Sequence, residues 1–307
     1  MTKLGSLSVD VAGLRMDNPT LLASGILGYA AESMETVIEG GVGAVVSKSI
    51  GPKPRTGYAN PTVVQVGCGL VNAMGLPNPG IDEFVKEIQH AKKVLAVPFV
   101  VSVFGYSAEE YAMIAKKAEV AGADALELNV SCPHVKETGS EIGQNHEILS
   151  SVVKKVKAAV AVPVFVKLSP NVTDIVSIGE AAARAGADAL TATNTVRAIA
   201  IDSETTRPIL GNVVGGLSGP AMKPIALRCV YDLYEHVKIP IIGCGGIADW
   251  EDAVEYLLAG ATAVEVGTAI STKGPNVFKE ITRGIQKYMR RRGHRRVEDI
   301  VGLSHRS

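Results

Sequence analysis

Apolar positions along this chain fall into two alternating patterns. Short, nearly unbroken apolar runs rich in β-branched residues follow longer stretches in which apolar residues recur at helical spacing. The junctions repeat. In "VIEGGVGAVVSKS" (37–49), "AEVAGADALELNVS" (118–131), "AARAGADALTATNT" (182–195) and "LLAGATAVEVGTA" (257–269), a glycine sits where a helix needs a left-handed C-terminus, and a strand-like run follows. In "LAVPFVVSVFG" (95–105), "VAVPVFVKLSP" (160–170) and "HVKIPIIGCGG" (236–246), a proline makes the stop instead. With "PTLLASG" (19–25), the pattern predicts eight strands, over 20–24, 44–48, 98–103, 125–130, 163–168, 188–193, 239–243 and 262–266.

Continuously apolar strands alternating with amphipathic helices such as "SAEEYAMIAKKAEVAG" and "WEDAVEYLLAG" imply a parallel sheet covered by helices. Eight even repeats favour an α/β fold of the (β/α)8 TIM-barrel kind over a doubly wound sheet, in a single domain spanning 1–307. The opening "LSVDVAGLRMDNP" alternates around Ala12-Gly13 and predicts a β-hairpin closing the barrel floor. Long βα loops follow strand 2 (49–80), strand 4 (after Cys132) and strand 6 (196–218); in a barrel such loops hold and cover the substrate.

Composition narrows the function. With 31 basic and 31 acidic residues the net charge is zero, which points away from nucleic acid and anionic membranes. No apolar run has the length of a transmembrane helix. The first residues, which include Asp10 and Arg15, lack a signal-peptide apolar core. The four cysteines show no paired spacing, which argues against a disulfide framework, a zinc site or an iron–sulfur cluster held by this chain. A soluble, cytoplasmic protein is expected.

Barrel chemistry gathers at the C-terminal ends of strands. Those ends are Ser24, Lys48, Ser102, Asn129 with Cys132, Lys167, Asn194 with Thr195, Gly245-Gly246, and Gly267-Thr268. The glycine pairs after strands 7 and 8 sit where barrels cradle phosphate on backbone N–H groups, although Gly245-Gly246 could also be only a tight turn. Lys167 ends the apolar run "VPVFVK", so it must meet an anion or an electron-rich ring unless it snorkels out to solvent; Lys48 has more polar neighbours. Cys229 and Cys244 read as small buried hydrophobes. Cys132 lies beyond a strand end before Pro133 and a polar loop, which suits a nucleophile or base. Asn72, Asn129 and Asn194 each offer one acceptor and two donors, as a flat imide-like or pyrimidine ring requires.

"VNAMGLPNPG" (71–80), "LNVSCP" (128–133), "ATNT" (192–195), "GGLSGPAMKPIALR" (215–228), "GCGGI" and "VGTA" together resemble the class 1 dihydroorotate dehydrogenases, with the NAD-linked type 1B catalytic subunit nearest. The resemblance runs from about residue 5 to the "VEDIVG" tail. It implies FMN in the barrel mouth, contacted by Ser24, Lys48, Ser49, Asn129, Lys167, Thr193, Gly219, Gly245, Gly246, Gly267 and Thr268. It implies dihydroorotate bound by Lys48, Asn72, Ala73, Met74, Gly75, Leu76, Asn129, Asn194 and Thr195. Cys132 would be the base that removes the C5 proton while C6 passes hydride to FMN. It further implies a homodimer within a heterotetramer, in which an iron–sulfur flavoprotein with FAD and a [2Fe–2S] cluster carries electrons to NAD+. No metal site is implied on this chain. The C-terminal run "YMRRRGHRR" could belong to that interface or be a solvated helix end.

Two residues depart from the family. His134 stands where asparagine is usual; the dihydropyrimidine dehydrogenases carry "SCPH" at this point, which makes reduction of an uncharged pyrimidine such as uracil or thymine the main alternative. Ser102 replaces an asparagine near the flavin. A phosphate-binding aldolase-type barrel with Lys167 as Schiff-base lysine is a second alternative, and a catalytically silent scaffold barrel a third.

Overall fold

The computed structural model describes residues 6–130 and 142–306. Eight parallel strands close into a barrel: β1 (Thr20–Leu22), β2 (Ala44–Val46), β3 (Phe99–Val103), β4 (Ala125–Asn129), β5 (Val164–Leu168), β6 (Ala189–Ala192), β7 (Ile241–Cys244) and β8 (Ala263–Val266). Each strand pairs with its neighbours in sequence, and β8 closes on β1 through Val264–Thr20, Glu265–Leu21 and Val266–Leu22. This is a TIM barrel. Every expected strand is present, with ends that differ from the expectation by a residue or two; β7 starts two residues later and runs one further, to Cys244.

The outer ring comprises α1 (Ala31–Glu39), α2 (Ile81–Val94), α3 (Ala108–Ala121), α4 (His146–Ala159), α5 (Ile175–Arg184), α6 (Lys223–His236), α7 (Trp250–Leu258) and α8 (Val277–Arg292), the last preceded by a short helix, Ala269–Lys273. Both kinds of helix stop appear. Gly41, Gly122, Gly186 and Gly260 have φ of 89°, 117°, 102° and 114°, a turn open to glycine at little cost. The helices that run toward a proline end differently. Their caps, Leu95, Val160 and Val237, are already extended three residues before Pro98, Pro163 and Pro240, because a helix carried on to the proline would set its ring against the carbonyl four residues back and lose a hydrogen bond there.

Strands β3, β4 and β5 are buried at every position, so both faces pack: one into the barrel, one under helices. The N-terminal hairpin pairs Val9–Val11 with Leu14–Met16 around Ala12-Gly13, both at positive φ, and Asp10 Oδ1 accepts from the Gly13 N–H at 2.6 Å. Val9, Val11, Leu14 and Met16 join the main core. The turn lines a cleft with Lys92, Leu95 and Asp124, residues that precede β3 and β4, so the hairpin lies at the N-terminal end of the barrel.

The long segments after β2 and β6 form structure of their own that the Gly- and Pro-rich composition concealed. Val63–Val66 and Gly69–Asn72 form a hairpin; Val196–Ile199 and Val214–Ser218 add to it as one four-stranded antiparallel sheet. Leu210, Val71 and Ala73 make a small second core beneath it. The sheet joins two distant loops above the barrel's C-terminal face. Among the described residues no helix is long and apolar enough to cross a membrane.

Candidate active site

Among the described residues, Ser24, Lys48, Asn129, Lys167, Thr193, Gly245 and Gly267 lie at or just beyond the C-terminal ends of the barrel strands. At the end of β4, the Asn129 side-chain amide donates to Ser49 Oγ at 3.0 Å, and Ser49 Oγ lies 2.9 Å from Ser102 Oγ at the end of β3. All three are buried. Ser102, in the place of the family's asparagine, therefore extends the polar cluster rather than interrupting it. The strand end is fixed from behind by the Tyr111 hydroxyl, which donates to the Asn129 carbonyl at 2.9 Å.

Lys167 faces Asn129 across the β4–β5 pair, and its ammonium donates to Glu265 Oε2 at 2.5 Å. Because β5 and β8 are not neighbours, that contact crosses the barrel interior. Glu127 Oε1 lies 3.6 Å from the same nitrogen, and Thr191 Oγ1 donates to Glu127 Oε2 at 3.2 Å. The lysine thus neither snorkels out nor stands alone: it meets two carboxyl groups. These acids were not among the expected site residues. A sequence signal existed, since Glu127 and Glu265 are single charges inside the apolar runs "ALELN" and "AVEV". A buried charge in such a run needs a partner.

Burial, then repulsion from Glu265, pushes the Glu127 carboxyl up to about 8, against the pull of Lys167. Burial opposes the Lys167 ammonium too, but the surrounding negative charge outweighs it and the group stays charged well above its ordinary range. Cys244, expected as a plain hydrophobe, faces this cluster; burial pushes its thiol up, so it is neutral at pH 7 and contributes no charge there. Cys229 is fully buried on α6, as expected.

On the other side of the mouth, Asn72 ends its hairpin strand opposite Gly216 and donates to the Gly216 carbonyl at 3.3 Å. The chain then turns through Ala73, Met74, Gly75 (φ 73°) and Leu76 (φ 55°). Two side chains that sequence reasoning missed hold this turn. Asn78 Oδ1 accepts from the Gly51 and Gly80 N–H groups at 3.1 and 2.9 Å, while its amide donates to the Leu76 carbonyl at 2.9 Å. Arg55 Nε donates to the Gly75 carbonyl at 3.3 Å. After β6, the Asn194 N–H donates to the Leu168 carbonyl, Asn194 Oδ1 accepts from the Thr195 N–H, and Asn171 donates to the Thr195 carbonyl at 2.9 Å.

The glycine loops divide by physical cause. A Cβ on Gly246 (φ 72°) would sit 2.5 Å from the Lys223 nitrogen and 2.9 Å from the Gly219 oxygen; one on Gly245 would sit 2.7 Å from Ala226 Cβ. Their glycine character is thus demanded by the close seating of α6, whatever else they touch. Gly267 has no such backbone obstruction, its nearest neighbour being Ala23 Cβ at 3.3 Å. Ala23 ties β1 to β8 through its N–H to the Val266 carbonyl, which brings Ser24 beside the Gly267-Thr268 turn, and Thr268 Cγ2 would lie 3.6 Å from a Cβ on Gly219. Lys48 follows β2 and its N–H donates to the Gly28 carbonyl. Cys132 and His134 lie outside the described residues.

Residues 6–289 match the family described as dihydroorotate dehydrogenase. The chain belongs to that family. It is 50% identical over 297 residues to the dihydroorotate dehydrogenase B (NAD(+)) catalytic subunit of Methanosarcina acetivorans, covering 96% of this chain and 95% of that one. It is 52% identical over 299 residues to the subunit of the same name from Pyrococcus furiosus, covering 97% and 99%. Its fold superposes with a TM-score of 0.84 on the crystal structure of DHODH from Eimeria tenella in complex with ferulenol, which is 26% identical and is matched over 98% of this chain and 89% of that one.

Within this dihydroorotate dehydrogenase fold the donor set suits a polar, ring-shaped cofactor. Asn129 Oδ1 and Thr193 Oγ1 are buried with no hydrogen-bond partner among the described residues. Buried polar atoms at a strand end without a partner mark where a ligand's donors and acceptors belong.

Proposed function

We propose that this protein is the catalytic subunit of an NAD+-linked dihydroorotate dehydrogenase, oxidising dihydroorotate to orotate for UMP biosynthesis in the cytoplasm. The observation that carries this reading is the buried Ser49–Asn129–Lys167 cluster with its unpartnered Asn129 and Thr193 oxygens. The names of the relatives support it.

FMN fits this donor set. Ser49, Asn129, Lys167 and Thr193 would hold the ring system, with Ser24 and Lys48 beside them. Gly219, Gly245, Gly246, Gly267 and Thr268 would present backbone N–H groups to its phosphate. When bound, FMN supplies the acceptor for the hydride that leaves C6 of the substrate.

The chain's own residues do the rest. Cys132 takes the proton from C5. A free thiol, with a pKa of about 8.5, is mostly protonated at neutral pH, so the site has to favour the thiolate. Asn72, Asn129, Asn194 and Thr195 match the alternating N–H and C=O edge of the substrate ring. The turn through Ala73, Met74, Gly75 and Leu76, braced by Asn78 and Arg55, offers N–H groups to the substrate carboxylate, with Lys48 as its cationic neighbour. The Lys167 charge favours negative charge arising in the mouth as substrate is oxidised. Electrons leave through an iron–sulfur flavoprotein partner bearing FAD and a [2Fe–2S] cluster, in a heterotetramer built on a homodimer of this chain.

The test is anaerobic flavin bleaching. Dihydroorotate should bleach the wild-type flavin rapidly. Cys132→Ser should retain FMN and slow the reaction by orders of magnitude, because general-base contributions of about 10²–10⁴ are lost. Bleaching by dihydrouracil and not by dihydroorotate would overturn the substrate assignment.

A further inference from the structure

Glu127, Glu265 and Lys167 form a closed ionisable cluster inside the barrel. Their side chains are 0%, 1% and 5% exposed. Two carboxyl groups share one cation. Three side chains from neighbouring strands and one from the helix behind them complete the surroundings: Thr191 on β6, which donates to Glu127; Cys244 on β7, a neutral thiol; Ser102 on β3, opposite Glu127 in register; and Tyr256 on α7, beside Cys244, whose hydroxyl burial keeps protonated and which donates to the Gly245 carbonyl at 2.6 Å. None of these supplies a second positive charge.

The hydrogen-bond count is incomplete in a specific way. Glu265 Oε2 is taken by Lys167 and Glu127 Oε2 by Thr191, but among the described residues Glu127 Oε1 and Glu265 Oε1 have no donor. With both groups ionised the cluster would carry a net charge of −1 and two unsatisfied acceptors in a dry interior, each of them costly to leave unpaired. One added proton removes the net charge and turns one acceptor into a donor.

We propose that Glu127 and Glu265 share a single proton beneath Lys167, and that this carboxyl–carboxylate pair is the positioning unit that sets the charge Lys167 presents to the flavin pocket. The first half stands on the cluster alone; the second rests on the flavin reading above. Glu265, in contact with the ammonium, carries the negative charge, and Glu127 carries the proton. The cluster is then neutral at pH 7. As pH rises, Glu127 releases its proton to solvent, and the pair becomes one charge more negative under the pocket, which disfavours electron uptake there. Neither acid touches the reacting atoms in this account; both act through Lys167.

Infrared difference spectra of the flavin-free protein test the proton. A protonated-carboxyl C=O band should be present at pH 7 and should titrate away as pH rises through about 8, the value to which Glu127 is raised. Glu127→Gln and Glu265→Gln, both close in shape to the native side chain, should each abolish it, because the remaining carboxyl pairs with Lys167 as an anion. Lys167→Met should increase it. Absence of the band in the wild type, or its persistence in both glutamine variants, would overturn the proposal.

The midpoint potential of bound FMN between pH 6 and 10 tests the positioning role, using ranges on either side of the expected transition. The wild-type potential should fall more steeply above that transition than below it, and Glu127→Gln should lose the break. Identical pH profiles would refute the positioning role. Failure of the wild type to bind FMN at all would refute the flavin reading instead, leaving the carboxyl band to decide the first half.

Discussion

Asn78 is the side chain on which the turn proposed to hold substrate depends most. It is 4% exposed and makes three hydrogen bonds to backbone, accepting from Gly51 and Gly80 and donating to Leu76. Asn78→Ala leaves two N–H donors and one carbonyl without the partner each now has. At about 1 kcal/mol per lost bond, and more for any group that stays dry, the variant should lose about 3 kcal/mol of stability. The loss is not spread evenly. Gly80 caps the start of α2, and Leu76 sits at φ 55°, a conformation that a residue with a Cβ keeps only when its surroundings hold it. The turn through Ala73, Met74, Gly75 and Leu76 should therefore relax before the barrel does. Urea unfolding followed by far-UV circular dichroism gives the stability change. Steady-state kinetics should show KM for dihydroorotate raised about tenfold, the equivalent of 1.4 kcal/mol of lost binding, with a smaller change in kcat. A variant within about 0.5 kcal/mol of wild type and with unchanged KM would refute the bracing role, since that is the range of an inconsequential surface substitution.

Three other outcomes follow from the same geometry. Glu127 is protonated in the folded chain up to about pH 8 but only to its ordinary 4.5 when unfolded, so between those values the native state holds the extra proton and stability falls as pH rises; in urea titrations Glu127→Gln should flatten that slope. Lys167→Met leaves two buried carboxyls with no cation and should destabilise by about 3–5 kcal/mol at neutral pH, with a pH slope steeper than wild type by about 1.4 kcal/mol per unit, measured the same way. Gly246→Ala places a methyl 2.5 Å from the Lys223 nitrogen at a φ of 72°, so it should displace the start of α6 and weaken FMN retention in gel filtration, whereas Gly267→Ala should be tolerated better by the fold.

The eight-stranded barrel was legible in the sequence because its determinants are local. A glycine at positive φ, or a proline a few residues ahead that cannot continue the helix, ends the helices that precede the barrel strands. The apolar runs that follow have nowhere to go but a sheet covered on both faces. Lys167, Asn129 and the glycine loops could be placed for the same reason: strand ends in a parallel barrel all open on one face. What escaped is non-local. The sheet that joins the 49–80 and 196–218 segments exists because Asn72 meets Gly216 across 144 positions of chain. Nothing in either segment's periodicity announces the other. Asn78 and Arg55 look like ordinary loop residues until the fold brings carbonyls and N–H groups to them.

The same division holds inside the barrel. Sequence alone determined that Lys167 would end an apolar strand and need an anion or an electron-rich ring unless it reached out to solvent. Only the tertiary structure decided which anion, because closing the barrel sets β5 against β8 across its interior and brings Glu265, 98 positions away, to the lysine along with Glu127. A charge's partner in a dry interior is chosen by topology, since the energy of the pair depends on a separation of a few ångströms that no spacing along the chain encodes.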